Sequence, residues 1–185
     1  QWIGPFAFRG PVVYGDACVP LSTYDTPLWP SPARGAGVSR HAGGIHVSVV
    51  DARMSRSLAF RAPDGAAAVA AWDAIRARQD EIAEVVASTS RFARLDALNR
   101  QFAGNLLFLR LECVTGDAAG HNMVTKAAEA VQNWILEAFP QLAYASISGN
   151  FCTDKKVSAV NGLLGRGKYV VADILIPQRI VERML

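Results

Sequence analysis

Asn105-Leu-Leu-Phe-Leu-Arg-Leu-Glu-Cys-Val114, followed by Thr115 and the turn Gly116-Asp117-Ala118-Ala119-Gly120-His121-Asn122-Met123, decides the fold class. The first run is a strand candidate by its nearly continuous apolar character. Gly116 stops it. From Met123 to Phe139 apolar residues recur at helical spacing, with Ala127, Ala130, Val131, Trp134 and Ile135 on one face and Pro140 ending the run. Upstream, Asp64 is placed to cap a helix whose face carries Val69, Trp72, Ile75, Ile82, Val85 and Val86, with a break near Gln79. Leu95, Leu98 and Phe102 continue a helical face that Gly104 ends. Ile45–Val50 and Leu58–Arg61 are expected strands, as are 142–148 and 169–176, and Pro177 opens a last helix. Residues 1–40 hold six of the nine prolines and are expected to be irregular, with one short strand near Val12–Tyr14. The order β-α-β-α-β from 58 to 148 gives an α+β fold, its helices covering one face of a mostly antiparallel sheet.

Composition sets the class. Of 185 residues 51% are hydrophobic and 19% charged, which describes a well-cored globular chain and excludes disorder. The net charge is +3, and only Lys126, Lys155, Lys156 and Lys168 among the 19 basic residues are lysines, so no basic tail points to nucleic acid. Cys18, Cys113 and Cys152 are odd in number and far apart, which argues for a reducing compartment, the cytoplasm by default. No apolar run reaches the roughly 18 residues of a spanning helix. A first residue Gln1 in place of Met reads as a processed or excerpted polypeptide.

The densest chemistry lies in Ser148-Gly149-Asn150-Phe151-Cys152-Thr153-Asp154-Lys155-Lys156, with two ammonium groups, a carboxylate, hydroxyls and an amide in nine residues. Two other motifs carry less. Gly162-Leu-Leu-Gly-Arg-Gly-Lys168 has phosphate-loop spacing, but Tyr169 stands where a magnesium-binding hydroxyl belongs, and a helix precedes and a strand follows. A helix C-cap at Gly165 and Gly167 accounts for it better. Cys113, His121 and Cys152 lack the close paired spacing of a zinc site, so no metal is expected.

Three blocks, Ser88-Thr89-Ser90-Arg91-Phe92-Ala93-Arg94-Leu95, Gly116 to Met123 and Ser148 to Lys156, resemble in order and spacing the signature of HMG-CoA reductase, of the class found in eukaryotes and many archaea. The resemblance covers nearly the whole chain. It implies a ferredoxin-like cofactor-binding small domain at 58–147, inserted in a larger α/β substrate domain of which 1–57 form part and to which the chain returns through the substrate loop at 148–185. It implies NADPH-dependent reduction of the thioester of 3-hydroxy-3-methylglutaryl-CoA to mevalonate with release of CoA, by a homodimer with shared active sites. Lys155 matches the catalytic cation, and Asp25 stands where the family has a catalytic glutamate. Arg56, Ser148, Asp154, Lys156 and Arg34 match substrate contacts. Ser90, Arg91, Asp117, Asn122 and Asn150 match cofactor contacts, and free amides at a helix start suit a pyrophosphate.

Departures from the family pattern support a second expectation, a silent homologue that only binds acyl-CoA or NADP. Asp25 is one methylene shorter than glutamate, and Thr26-Pro27 follow where the family has glycine. The family's later Gly-Gln-Asp aspartate and C-terminal histidine have no counterpart in these 185 residues.

Overall fold

The computed structural model describes residues 1–154 and 156–185. The chain forms two compact units, one of residues 1–50 and 170–185, the other of residues 51–169.

In the second unit, β3 (Ile45–Arg61), which enters from the first, pairs antiparallel with β5 (Leu106–Val114), and β5 with β4 (Arg94–Ala103). On its other edge β3 pairs antiparallel with β6 (Ala143–Ile147), giving the order β6-β3-β5-β4. Helices α2 (Gly65–Ala77) and α3 (Gln79–Thr89) connect β3 to β4, and α4 (His121–Ala138) connects β5 to β6. Asp64 accepts a hydrogen bond from the Ala67 amide at 2.7 Å, the N-cap expected from sequence, and the helical stretch breaks at Arg78, also as expected.

The two faces of this sheet differ. Leu58 and Phe60 of β3 with Leu107, Leu109 and Leu111 of β5 pack with Trp72, Ile75, Ile82, Val86, Val131 and Ile135 of the helices into the core. The opposite face carries Ser55 and Ser57 of β3 opposite Glu112 and Arg110 of β5. Removing a buried leucine such as Leu109 from such a core costs about 2–5 kcal/mol.

The expected helical face through Leu95, Leu98 and Phe102 is wrong. These residues lie on β4, and Gly104, at φ 58°, begins a two-residue hairpin turn to β5. The expected β-α-β-α-β order therefore gains a strand. Ile45–Val50 and Leu58–Arg61 are parts of one 17-residue strand.

The first unit also corrects the sequence. In place of irregular structure it holds β1 (Trp2–Arg9) and β2 (Tyr14–Pro20), an antiparallel pair, then a 3-10 turn (Thr26–Leu28) and α1 (Pro30–His41). Val12 lies in the loop between the strands. Proline at the first turn suits a helix start, because the amide it lacks has no partner there. α1 packs on β1, where Ser39 Oγ accepts from the Ala7 amide at 3.1 Å. β1 meets β3 in parallel through Phe8 and Arg9. Gly10 is obligatory: a Cβ there would lie 2.1 Å from the Val47 carbonyl oxygen. The remaining elements are α5 (Ala159–Leu164), β7 (Gly167–Asp173) and α6 (Gln178–Met184), and Gly165 is the C-cap of α5, as the sequence implied.

Candidate active site

Ser57 sets the loop that follows β6. Its backbone carbonyl accepts from the Ser148 amide at 2.6 Å, its hydroxyl donates to the Ser148 carbonyl, and the same hydroxyl accepts from the Cys152 amide at 2.9 Å. One strand side chain thus fixes both ends of a tight turn. The turn is built from left-handed residues: Ser148 at φ 86°, Gly149 at φ 48° and Asn150 at φ 59°, with Thr153 at φ 43° beyond it. Non-glycine residues rarely adopt this region, and runs of them mark functional loops. Gly149 lies on the sheet, where a Cβ would meet the Phe108 ring at 3.0 Å and Ala59 Cβ at 3.1 Å. Phe151 meets Phe108 edge to face, ring centres 6.4 Å apart.

The second half of the loop is held by α5. Ser158 caps that helix through the Asn161 amide at 3.2 Å and shares a hydrogen bond with Thr153 Oγ1 at 2.7 Å. The Asn161 side-chain amide donates to the carbonyls of Thr153 and Lys156. Asp154 is thereby presented between two guanidiniums, 3.3 Å from Arg56 Nη1 and 2.8 Å from Arg166 Nη2. Lys156 Nζ reaches Asn150 Oδ1 at 3.4 Å. Burial raises the Cys152 thiol, but the Ser148 and Ser57 hydroxyls and the Arg56 charge outweigh it, so its pKa lies below the ordinary value.

Of the residues singled out from sequence, the structure gathers Arg56, Ser148, Asn150, Asp154 and Lys156 in this loop and its strand. Lys155 lies outside the described residues. Asp25 and Arg34 belong to the first unit: Asp25 is exposed at the start of the 3-10 turn with no hydrogen bond from its carboxylate to that turn, and Arg34 is exposed on α1. Ser90 follows α3 and accepts from the Phe92 amide at 3.2 Å, while Arg91 stacks on Phe92. Lys126 of α4 donates to the Thr89 carbonyl at 3.1 Å, so the Ser90–Arg91 corner adjoins α4. Asp117 and Asn122 are exposed around the start of α4.

The N-terminus of α4 opens on Gly120 at φ 84°, with no side-chain cap, so the first amides of an 18-residue helix are left without intrahelical partners. Only glycine fits there, since a Cβ would lie 2.6 Å from Thr115. Beside it a cavity of about 240 Å³ is lined by Ala118, Ala119, His121, Met54, Arg166 and Lys168. Free amides with two cations fit an anionic group such as a dinucleotide pyrophosphate. Among the described residues no group of three or more His, Cys, Asp or Glu could hold a metal ion. Cys113 is buried and its thiol is pushed up to about 12, chiefly by desolvation.

Sequence reasoning missed Ser57, Arg166, Arg110 and Glu112. Arg166 stands between two glycines in a stretch whose spacing is that of a phosphate loop and whose glycines read as a helix C-cap, neither of which marks the arginine. Arg110 and Glu112 were legible as two charges at strand spacing inside an otherwise apolar run.

A family profile described as hydroxymethylglutaryl-coenzyme A reductase matches residues 2–185. The 3-hydroxy-3-methylglutaryl-coenzyme A reductase of Pyrococcus horikoshii is 39% identical over 98% of this chain, which spans 44% of that protein. The sea-urchin relative from Strongylocentrotus purpuratus, of the same name, is 38% identical over 98% of the chain, which spans 20% of it. The structure of the class II 3-hydroxy-3-methylglutaryl-CoA reductase from Streptococcus pneumoniae bound to NADPH superposes with a TM-score of 0.70 at 18% identity, over 99% of this chain and 47% of that one. The chain thus spans less than half the length of these relatives, and across that span it belongs to the hydroxymethylglutaryl-coenzyme A reductase family.

Proposed function

We propose that the protein reduces the thioester of 3-hydroxy-3-methylglutaryl-CoA to mevalonate, with NADPH as reductant and release of CoA. The observation that carries this is the loop at 148–158, where Arg56 and Arg166 fix Asp154 immediately before Lys155 within a family match over the whole chain. NADPH, when bound, supplies the hydride. The amides at the start of α4 with Asn122, Asp117 and Asn150 would hold it, and Ser90 with Arg91 would take the ribose phosphate through a charge-assisted fork. Lys155 stabilises the negative charge that builds on the thioester oxygen, since a fixed ammonium in a water-poor site is already oriented toward it. Asp154 orients that ammonium. Ser148, Asp154 and Lys156 hold the substrate's carboxylate and hydroxyl, Arg56 and Arg34 are further substrate contacts, and Asp25 donates a proton.

In this proposal 58–147 is a ferredoxin-like cofactor domain, a topology that the order β6-β3-β5-β4 supports. Residues 1–57 belong to the substrate domain, and 148–185 carry the substrate loop and return to it. The active form is a homodimer with shared sites. The three cysteines are unpaired, which suits the cytoplasm, and no helix among the described residues is long and apolar enough to cross a membrane.

A second proposal, a homologue that binds acyl-CoA or NADP without turnover, is favoured by one observation. The Asp25 carboxylate is exposed and followed by Thr26-Pro27 in a 3-10 turn. The longest native form of the protein, assayed for HMG-CoA-dependent NADPH oxidation with mevalonate as product, decides between them. Binding of HMG-CoA without oxidation would leave the second standing.

A further inference from the structure

Arg110 and Glu112 project from the centre of β5 onto the sheet face beneath the loop, and both are essentially inaccessible, at 0% and 1% exposure. Charges are buried at this depth only where they are paired and where removing them would leave a partner uncompensated. Glu112 Oε1 lies 3.4 Å from Arg110 Nε, an ion pair by distance in which neither atom makes a hydrogen bond among the described residues. Glu112 Oε2 lies 2.7 Å from Arg53 Nη1, which also reaches Asp96 at 3.3 Å while Arg53 Nη2 reaches Asp51 at 2.8 Å. The outer end of this chain of charges is therefore anchored on β3 and β4.

The inner end reaches the site. Arg110 Nη2 donates to Ser55 Oγ at 3.1 Å and to the carbonyl of Gly165. Gly165, at φ 75°, ends α5, and the next residue, Arg166, donates to the Ser55 carbonyl at 3.4 Å and pairs with Asp154. Among the described residues, the hydrogen-bond and ion-pair partners of Arg110 are Ser55, Gly165 and Glu112, none of them assigned to substrate or cofactor. It fixes the turn from which Arg166 reaches Asp154.

We infer that Arg110, held by Glu112, is a positioning residue that sets Asp154 through the Gly165–Arg166 turn. The inference rests on the proposed reductase function for its kinetic consequence, and on geometry alone for its structural one. Burial lowers the Arg110 pKa and raises that of Glu112, against the attraction between them. The pair is thus costly to keep, and the carbonyl of Gly165 is what it holds in place.

The test uses Arg110→Lys, which keeps the charge and loses the fork, and Ser55→Ala, a milder cut in the same link, both in the longest native protein. Hydrogen exchange is read first, because it does not depend on activity. In each folded variant the amides of residues 152–154 and 164–167 should exchange at least tenfold faster while those of Leu107 and Leu109 keep their protection. In an active protein Arg110→Lys should lower kcat by about tenfold to a hundredfold with the KM for HMG-CoA within threefold, as displacement of a charged group by up to about 1 Å predicts. In an Asp154→Asn background the same substitution should change the residual rate less than threefold, because the effect passes through Asp154. Unaltered exchange in the loop, unaltered kcat, or losses that multiply independently of Asp154 would each overturn the inference. A wild-type protein without turnover would defeat the proposed function and leave the exchange result to decide the positioning role.

Discussion

At the scale of the residue, the loop at 148–158 depends on a few side chains with no freedom to change. Gly149 is one: its left-handed φ and its contact with Phe108 both exclude a Cβ. Gly149→Ala should destabilise the protein by about 1–3 kcal/mol and weaken HMG-CoA binding, read by urea denaturation and calorimetry. Unchanged stability would show that the loop does not rest on the sheet there. Asp51 gives a test by pH. Its carboxyl is held below the ordinary range chiefly by the Arg53 hydrogen bond, with burial acting the other way. The stability it contributes is therefore complete above the unfolded value of about 4 and is lost as pH falls through the lower folded value. The urea midpoints of wild type and Asp51→Asn should differ at pH 6, and the gap should narrow progressively as pH falls below about 4; a gap that stays constant under acid titration would contradict the pairing. Sequence made Asp154, Lys156 and Asn150 visible because they are polar and clustered. It hid Ser57 because a serine in a strand has no distinguishing spacing, and its role arises only when β6 is laid beside β3.

At the scale of the element, β4 shows why periodicity misled. Between Leu95 and Ala97 the register with β5 shifts, so Leu95 faces Cys113 and Leu98 faces Leu111, both on the core side. A bulge thus places residues three apart on one face, the spacing of a helix. Phe102, opposite Leu107, then falls at the next helical interval. The following turn gives a prediction. Nothing lies within 4 Å of a Cβ at Gly104, so Gly104→Ala should cost only the backbone strain of a positive φ, about 1 kcal/mol, and should leave the core unperturbed in thermal melts. A loss above about 3 kcal/mol would mean that the turn is packed. By contrast α2, α3 and α4 were readable because each shows an unbroken apolar stripe with a cap or a break at its end. α1 is obscured in the sequence by Pro30 and Pro32, which suit a first turn yet, among the other prolines of residues 1–40, read as irregular structure.

At the scale of the whole molecule, the α+β class follows from strand and helix patterns that survive in the fold; the three blocks that suggested the family all lie in the second unit, and the family profile extends the match to residues 2–185. In the proposed function NADPH binds at the corner between α3 and the start of α4. Calorimetry should accordingly show NADPH binding more tightly than NADH, and equal affinities would remove Arg91 from the 2′-phosphate. In the proposed mechanism Lys155 acts on the transition state more than on binding, and comparison of Lys155→Met with wild type in the longest native protein tests this. The stem remains and the charge is lost. The kcat for HMG-CoA reduction should fall by several orders of magnitude, since one preorganised charged donor in such a site is worth about 3–4 kcal/mol or more, while HMG-CoA affinity changes little. An unchanged kcat in that variant, or a loss confined to HMG-CoA binding, would contradict it.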